Sequence, residues 1–327
     1  MPLALGVAVA LLSGGALLLL RGADWFMDGV GDLARVLGVS AVALGAVLAG
    51  LEPEEMLTAA VASGRGAPDL AVGNVIGTNV TIVTLALGLA ALIAPITIAR
   101  AVRRQALLAT LVSAVPVVLL VSGLVSRLAG ALLLALFVAY TIVLFRGDRA
   151  AVARLAALEE DDDDDDDDVD QRRPAMRAHA RWRLIGVTLA GLMAMAVGGP
   201  ALVEGALRLA ALAGVGGGVV GLSIVSLGTG AEMIALGVSA ARKRASDILV
   251  GGIIGSFAYN LLVTLGLAAV VRPLPVAPEL TRLALPIMVA AHLVLLGLIW
   301  RGHMGRLAGA LFVAAYVGYL ALVVLAR

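Results

Sequence analysis

The chain has 327 residues, of which 61% are hydrophobic, and its mean hydropathy of +1.04 lies well above that of soluble globular domains. Its formal net charge is only +1, because 24 basic residues nearly balance 23 acidic ones. It contains no cysteine, which excludes disulfide bonds, thiol chemistry and cysteine-ligated metal sites. This composition predicts an all-α membrane protein whose partner is the lipid bilayer, and it indicates no nucleic-acid partner.

A helix needs roughly 20 apolar residues to cross the ~30 Å hydrocarbon core of a bilayer, and the sequence predicts ten such helices. They lie near 3–20, 36–62, 69–98, 105–125, 128–146, 184–203, 209–240, 248–271, 283–300 and 307–326. The first lacks the basic region and cleavage site of a signal peptide, so we expect a membrane span there. Helices two and seven are predicted to be broken, at 50–53 and at 228–230, where glycine and proline interrupt the apolar pattern.

The predicted spans divide into two sets of five, residues 1–146 and 178–327, joined by an acidic linker at 147–177. Because five is odd, the two repeats must be inverted relative to each other. Lysine and arginine are concentrated in the set of loops that includes the linker, which predicts a cytoplasmic linker, outside termini and insertion in the cell (plasma) membrane. Eleven acids between Glu159 and Asp170 predict a solvated, extended segment or a weak concentrator of divalent cations. The oligomeric state stays open, and a monomer is compatible.

One stretch occurs twice in altered form. Residues 50–79 read GLEPEEMLTAAVASGRGAPDLAVGNVIGTN, and residues 228–260 read GTGAEMIALGVSAARKRASDILVGGIIGSFAYN. Each copy places a carboxylate beside a broken helix and then starts a glycine-rich helix after an aspartate. A carboxylate at membrane depth is costly unless it handles a cation or a proton. Paired broken helices in two halves therefore predict the binding site of a secondary transporter.

The segments Ala67-Pro68-Asp69 and GNVIGTN, with their counterparts Ser246-Asp247 and GGIIGSFAYN, resemble the alpha-repeats of the cation/calcium antiporter superfamily, the group of the sodium/calcium exchangers. The resemblance spans nearly the whole chain. It implies a secondary active antiporter that exchanges Ca²⁺ for Na⁺ or H⁺ by alternating access. It implies no enzyme and no cofactor, since Ca²⁺ and Na⁺ or H⁺ are the transported ions.

Three alternatives remain beside this interpretation, one of them a channel, which coupled counter-flow would distinguish from an antiporter. Family members carry GTSLPE where this chain reads Gly50-Leu51-Glu52-Pro53-Glu54-Glu55, so a same-fold transporter of Mg²⁺, Mn²⁺ or K⁺, or a Na⁺/H⁺ exchanger, stays open. An intramembrane metalloenzyme would need a motif such as HExxH, which the sequence lacks. An ATP-driven pump is disfavoured as well, because there is no GxxxxGK[ST] motif.

The candidate ion ligands come from both copies. Counting back fifteen residues from the helix-start aspartates pairs Glu54 with Glu232, whereas the spacing of the family motif favours Glu55. The resemblance maps a later ligand pair onto Ser256 and Asn260 in copy two. In copy one the pair falls on Thr78 and on Ile82, which cannot coordinate a cation. The predicted set is Glu54, Glu232, Glu55, Thr78, Asn79, Thr229, Ser256 and Asn260.

Other polar residues in the spans have plainer interpretations. Glu52 is either a further ligand or a capping residue at a water-facing mouth. Asp69 and Asp247 are predicted N-caps. Asp24, Asp28 and Glu204 are predicted to lie at the membrane interface, and His292 is predicted to be packed and hydrogen-bonded.

Overall fold

A computed structural model describes residues 2–37, 39–48, 52–160, 174–212 and 230–325. The described helices are α1 (Pro2–Leu37), α2 (Ala41–Leu48), α3 (Pro53–Gly64), α4 (Pro68–Val80), α5 (Leu87–Ile93), α6 (Arg100–Val121), α7 (Arg127–Glu160), α8 (Pro174–Leu212), α9 (Ala231–Lys243), α10 (Ser246–Tyr259), α11 (Leu265–Val271), α12 (Leu285–Arg301) and α13 (Arg306–Leu325). Three π-helical turns (Thr81–Ala86, Asn260–Thr264 and Leu280–Ala284) and four two-residue strands complete the fold: β1 (Ile96–Thr97), β2 (Leu124–Val125), β3 (Leu274–Pro275) and β4 (His303–Met304).

Seven helical segments in the described ranges are long and apolar enough to cross a membrane. They are Ala4–Leu37, Pro68–Ile93, Val102–Val121, Arg127–Gly147, Trp182–Leu202, Ser246–Val271 and Leu280–Arg301, and a shorter apolar helix covers Arg306–Leu322. The prediction of an all-α protein with membrane-spanning helices is therefore confirmed. The predicted break at 228–229 and the middle of the acidic run, 161–170, lie outside the described residues.

Two helices are much longer than the sequence predicted. The predicted spans 3–20 and 184–203 lie inside α1 and α8, which have 36 and 39 residues. The hydropathy pattern predicted that the first span ends before Asp24, because a charged residue is unfavourable in an apolar helix. In the structure Asp24 has hydrogen-bond partners on α9, and the helix continues past it. Helix α7 likewise runs into the segment assigned to the linker, as far as Glu160.

Helices α1 and α8 pack closely through reciprocal glycines. A Cβ atom added at Gly22 would lie 2.8 Å from the carbonyl oxygen of Gly191, and one added at Gly191 would lie 2.7 Å from that of Gly22. Gly15 and Gly198 oppose each other in the same way, at 2.7 and 2.9 Å. Such close backbone approach is how small residues hold membrane helices together, so α1 and α8 form one packed pair.

Two spans built alike form the centre of the molecule. Helix α4 passes through the π-helical turn Thr81–Ala86 into α5, and α10 passes through the turn Asn260–Thr264 into α11. In their most apolar stretches these two spans are 78% and 94% buried, whereas the other candidate spans reach at most 33%. They are therefore the core around which the other helices pack.

Short strand pairs tie the two halves of the chain together at two places. Strand β1 pairs antiparallel with β4, and β2 pairs antiparallel with β3. Each pair joins a segment of the first half to a segment of the second. Strands β1 and β3 follow the two central spans, so the two pairings are equivalent under exchange of the halves.

The close contact between α2 and α10 gives a stability test with a matched control. A Cβ atom at Gly255 would lie only 1.7 Å from the carbonyl oxygen of Ala46, whereas its counterpart Gly77 meets nothing nearer than the Tyr319 hydroxyl at 3.8 Å. We expect Gly255→Ala to destabilise the protein by about 1–3 kcal/mol or more, because the backbones must separate. Gly77→Ala should be close to neutral. Melting temperatures in detergent check this, and equal values for the two variants would contradict the packing.

Candidate cation-binding site

The break between α2 and α3 is set by a proline. Helix α2 ends at Leu48, and α3 begins with Pro53, which has no backbone N–H and fits the first helical position. Glu52 precedes it with non-helical torsion angles (φ −115°, ψ 75°), and its carbonyl accepts the N–H of Glu55 at 3.1 Å. In the described part of the predicted break, Glu52 and Pro53 form a helix restart, which places Glu52 and Glu55 within one turn; residues 50 and 51 lie outside the described residues.

The Glu52 carboxylate connects the two halves of the chain. Its side chain is only 2% exposed. It accepts a hydrogen bond from Ser256 Oγ at 2.8 Å and another from Asn260 Nδ2 at 2.7 Å, both on the α10 span. The side chain makes no capping hydrogen bond to α3, so of the two sequence interpretations the geometry favours the ligand-like one.

The Glu55 carboxylate is bound within the first half. It is also 2% exposed, and it accepts hydrogen bonds from Asn74 Nδ2 and, at 3.2 Å, from Thr78 Oγ1. Both donors lie on α4. The two carboxylates at the start of α3 therefore face different central helices, Glu55 towards α4 and Glu52 towards α10.

Two buried amides have hydrogen-bonding capacity to spare. Asn79 is fully buried, and neither its Nδ2 nor its Oδ1 has a hydrogen-bond partner in the described part of the chain. The same holds for Oδ1 of Asn260, among the residues described. An unsatisfied buried polar atom costs about 1–3 kcal/mol, so these oxygens gain most from a bound cation.

The structure assembles part of the predicted ligand set. Glu55 and Thr78 meet, and Ser256 and Asn260 meet Glu52. Glu232 lies in the first turn of α9, and a Cβ atom at Gly199 of α8 would be 3.4 Å from its Oε1. The Glu54 side chain and Thr229 lie outside the part of the chain that is described. The described residues contain no group of three or more His, Cys, Asp or Glu side chains that could hold a metal ion. Any cation there therefore needs hydroxyl, amide or carbonyl ligands as well.

Sequence reasoning gave Glu52 too little weight. Counting residues from the family motif favoured acids after the proline, because the motif ends in Pro-Glu. A signal for Glu52 was nevertheless present in the sequence. Glu52 lies at the predicted break itself, and Asn260 of copy two is a neutral amide, so a negative charge beside Asn260 has to come from another part of the chain.

Two buried carboxylates within one helical turn constrain what the site can hold. Taking a single ionised carboxylate out of water costs several kcal/mol unless an opposite charge or hydrogen bonds compensate it. Hydrogen bonds from Ser256, Asn260, Asn74 and Thr78 supply part of that compensation. A bound cation or proton would compensate the charge further, so the site is chemically suited to bind them.

Polar residues outside the site form a link between α1 and α9. Ser239 Oγ donates to Asp24 Oδ1 at 2.6 Å, and Lys243 Nζ lies 2.7 Å from Asp28 Oδ1 and donates to the Asp24 carbonyl oxygen at 2.8 Å. These contacts join the α1–α8 pair to α9, whose first turn carries Glu232. They explain why charged residues are stable in the middle of a long apolar helix.

The remaining polar predictions have mixed outcomes. The N-caps of α4 and α10 are Ala67 and Ala245, so the prediction that Asp69 and Asp247 are caps is wrong by two positions. Both aspartates lie in the first turn, where the positive end of the helix dipole stabilises their negative charge. The prediction for His292 is confirmed, because its Nε2 lies 2.8 Å from Thr110 Oγ1 and its ring stacks on Phe257.

Known proteins resemble this chain over almost its whole length. The family model described as "Sodium/calcium exchanger protein" matches residues 7–146 and 183–325. The inner membrane protein YrbG of Escherichia coli K12 is 29% identical over 97% of this chain and 96% of its own, and the sodium/calcium exchanger MaX1 of Methanosarcina acetivorans is 28% identical over 94% and 95%. A solved structure of the sodium-calcium exchanger NCX_Mj, soaked with 10 mM Na⁺ and zero Ca²⁺, is 25% identical, covers 97% of this chain and 99% of its own, and superposes with a TM-score of 0.82.

The two buried carboxylates predict stabilisation by a divalent cation. A ligand that binds only the folded state stabilises it by about 2.7 kcal/mol at 100 times its Kd, so Ca²⁺ should raise the melting temperature of the purified protein. The double variant Glu52→Gln/Glu55→Gln should lose this rise. Glu204→Gln, at an exposed acid paired with Arg208, should keep it. An undiminished rise in the double variant would mean that Ca²⁺ binds elsewhere.

Proposed function

Because this chain belongs to the family of sodium/calcium exchanger proteins, we propose that it is a secondary antiporter that exchanges Ca²⁺ for Na⁺ or H⁺ across the membrane. The observation that carries the proposal is the pair of buried carboxylates, Glu52 and Glu55, at the start of a broken helix. The relative MaX1 and the similar structure of NCX_Mj are both named as sodium/calcium exchangers, which supports the same cargo here.

Charge balance explains how one site exchanges different ions. Two carboxylates carry two negative charges, which one Ca²⁺, two Na⁺ or two protons neutralise. These ions exclude one another, so loading one requires release of the other. Ca²⁺ takes six to eight oxygen ligands, and oxygens of Glu52, Glu55, Thr78, Ser256 and Asn260 contribute to such a shell. The sequence candidates Glu54, Glu232, Asn79 and Thr229 complete the proposed set.

We also propose that the chain forms ten spans in two inverted repeats of five. Equivalent features in the two halves support this arrangement. Gly88 packs against Gly309 and Gly130 against Gly266, in each case with a Cβ atom 2.5–3.1 Å from the opposing carbonyl oxygen. The paired strands and the two π-helical turns of the central spans repeat in the same way. A cytoplasmic linker, outside termini and location in the cell membrane are parts of this proposal.

Alternating access then requires one part of the molecule to move against another. The α1–α8 pair is held together by glycine contacts, and polar contacts of Asp24 and Asp28 join it to α9. We infer that the pair moves as a unit across the central helices. The contacts of Asp24 and Asp28 with Ser239 and Lys243 would hold one end state.

A transporter of the same fold with another cargo is the second candidate. Ile82 is fully buried at the position equivalent to Asn260, so the first central span lacks the amide that the second places beside Glu52. Mg²⁺ retains several waters and needs fewer protein ligands than Ca²⁺, which makes Mg²⁺ or Mn²⁺ a specific alternative. Exchange of K⁺, or of Na⁺ for H⁺, belongs to the same candidate. Competition of Ca²⁺ uptake by each of these cations separates the cargoes.

Proteoliposomes test the proposed site. We expect Glu52→Gln and Glu55→Gln each to weaken the apparent Ca²⁺ affinity about 10- to 100-fold, since a lost charge-assisted contact costs about 1.5–3 kcal/mol. The measurement is Ca²⁺ uptake driven by an outward Na⁺ gradient or by a pH gradient, with the membrane potential clamped. Glu204→Gln serves as the control at an exposed acid. Unaltered affinity in both site variants would reject the assignment, and the gradient that drives uptake identifies the coupling ion.

A cross-linking experiment tests the proposed motion. The natural chain has no cysteine, so introduced pairs have no background reaction. We expect a short bifunctional thiosulfonate reagent, which forms a disulfide with each cysteine, to block transport in Asp24→Cys/Ser239→Cys, because α1 is then tied to α9 in one end state. A reducing agent should restore transport, and the two single-cysteine variants should be insensitive. Full transport by the cross-linked protein would show that this contact does not open.

A further inference from the structure

A groove lies between α12 and α13 on the side of the molecule away from α1 and α8. Its volume is about 650 Å³. Apolar side chains form most of its walls: Ile287, Val294, Leu298, Leu307 and Leu311. Several of them are well exposed, among them Val294 at 54% and Leu311 at 62%. An open apolar groove along two spanning helices contacts the hydrocarbon core of the bilayer.

One end of the groove is basic. Arg301 and His303 line it there, at the end of α12 and in β4, and both side chains are exposed. Strand β4 pairs with β1, so the arginines that open α6 lie at the same end of the molecule. Arg103 reaches this end too, since its Nη2 donates to the carbonyl oxygen of Trp300 at 2.6 Å. The groove thus has apolar walls along its length and basic side chains at one end.

The deep wall of the groove belongs to a central span. Val80 and Thr84 line it, where α4 enters its π-helical turn, and both are buried. Val80 is two residues from Thr78, whose hydroxyl donates to Glu55. A molecule in the groove therefore contacts the helix that also holds the Glu55 carboxylate.

We propose that this groove is a binding site for one anionic phospholipid. The phosphate group binds to Arg301 and His303, and one acyl chain lies along the apolar walls as far as Val80 and Thr84. Charge complementarity selects the occupant, because guanidinium groups favour phosphate and an arginine near an anionic headgroup contributes about 1 kcal/mol. The apolar walls face the hydrocarbon core, which supplies acyl chains and excludes soluble anions.

Two pairs of variants test the headgroup and the acyl chain separately. Arg301→Gln/His303→Gln removes the two basic side chains that line the groove, and its control is Arg282→Gln, an exposed arginine just before the opposite end of α12 that does not line the groove. Ala315→Phe fills the groove, and its control is Ala314→Phe, at an equally exposed neighbour outside the lining. The probes are phosphatidylglycerol and phosphatidylcholine with identical acyl chains, titrated onto the detergent-purified protein and counted by native mass spectrometry.

The expected result is a preference for phosphatidylglycerol over phosphatidylcholine of about 5- to 10-fold. The charge variant should lose that preference, and Ala315→Phe should weaken binding of both lipids, while the two controls bind as the parent protein does. The absence of a preference in the parent overturns the proposal. Equal phosphatidylglycerol affinity in either site variant and its control overturns it as well. Because binding is the readout, the result does not depend on which ions the protein transports.

Discussion

The burial of two carboxylates at a helix restart is the constraint on which the rest of the structure depends. Pro53 fixes where α3 begins, and that start places Glu52 and Glu55 within one turn and almost out of contact with solvent. Their charge is tolerated because polar side chains from α4 and α10 converge on them. The two central spans must therefore lie on either side of α3.

The scaffold is close to symmetric, but the site is not. Strand pairs, π-helical turns and interlocking glycines recur in both halves. At the site, however, equivalent positions carry different residues. Asn260 corresponds to Ile82, and Asn79 corresponds to Phe257, which stacks on His292. Both acids in these contacts come from the break in the first half, whereas the neutral donors come from both halves.

Packing around the centre differs in kind from one region to another. The central spans are enclosed by protein, whereas α1 and α8 contact each other through glycines, and α1 meets α9 through polar contacts as well as through packing. Small residues give a close and shape-specific contact, which suits a pair of helices that stays together. Exposed hydrogen bonds and ion pairs contribute little each, which suits a junction that opens. The apolar groove beside α12 and α13 adds a surface where the surrounding lipid meets a central span.

The sequence by itself determined the class of the molecule, the presence of two related halves and the place of the first break. The lengths of the apolar segments indicate a membrane protein because they match the thickness of the bilayer. The Glu-Pro-Glu-Glu motif indicates the break because proline lacks a backbone N–H, which is a property of the local sequence. It also selected Glu55, Thr78, Ser256 and Asn260 as polar residues of a shared region. Only the tertiary structure decided which acid meets which donor, since Glu52 and Ser256 are 204 residues apart in the chain. The full length of α1 was likewise beyond the sequence, because Asp24 ends a hydropathy window but is satisfied by Ser239 and Lys243 from another helix.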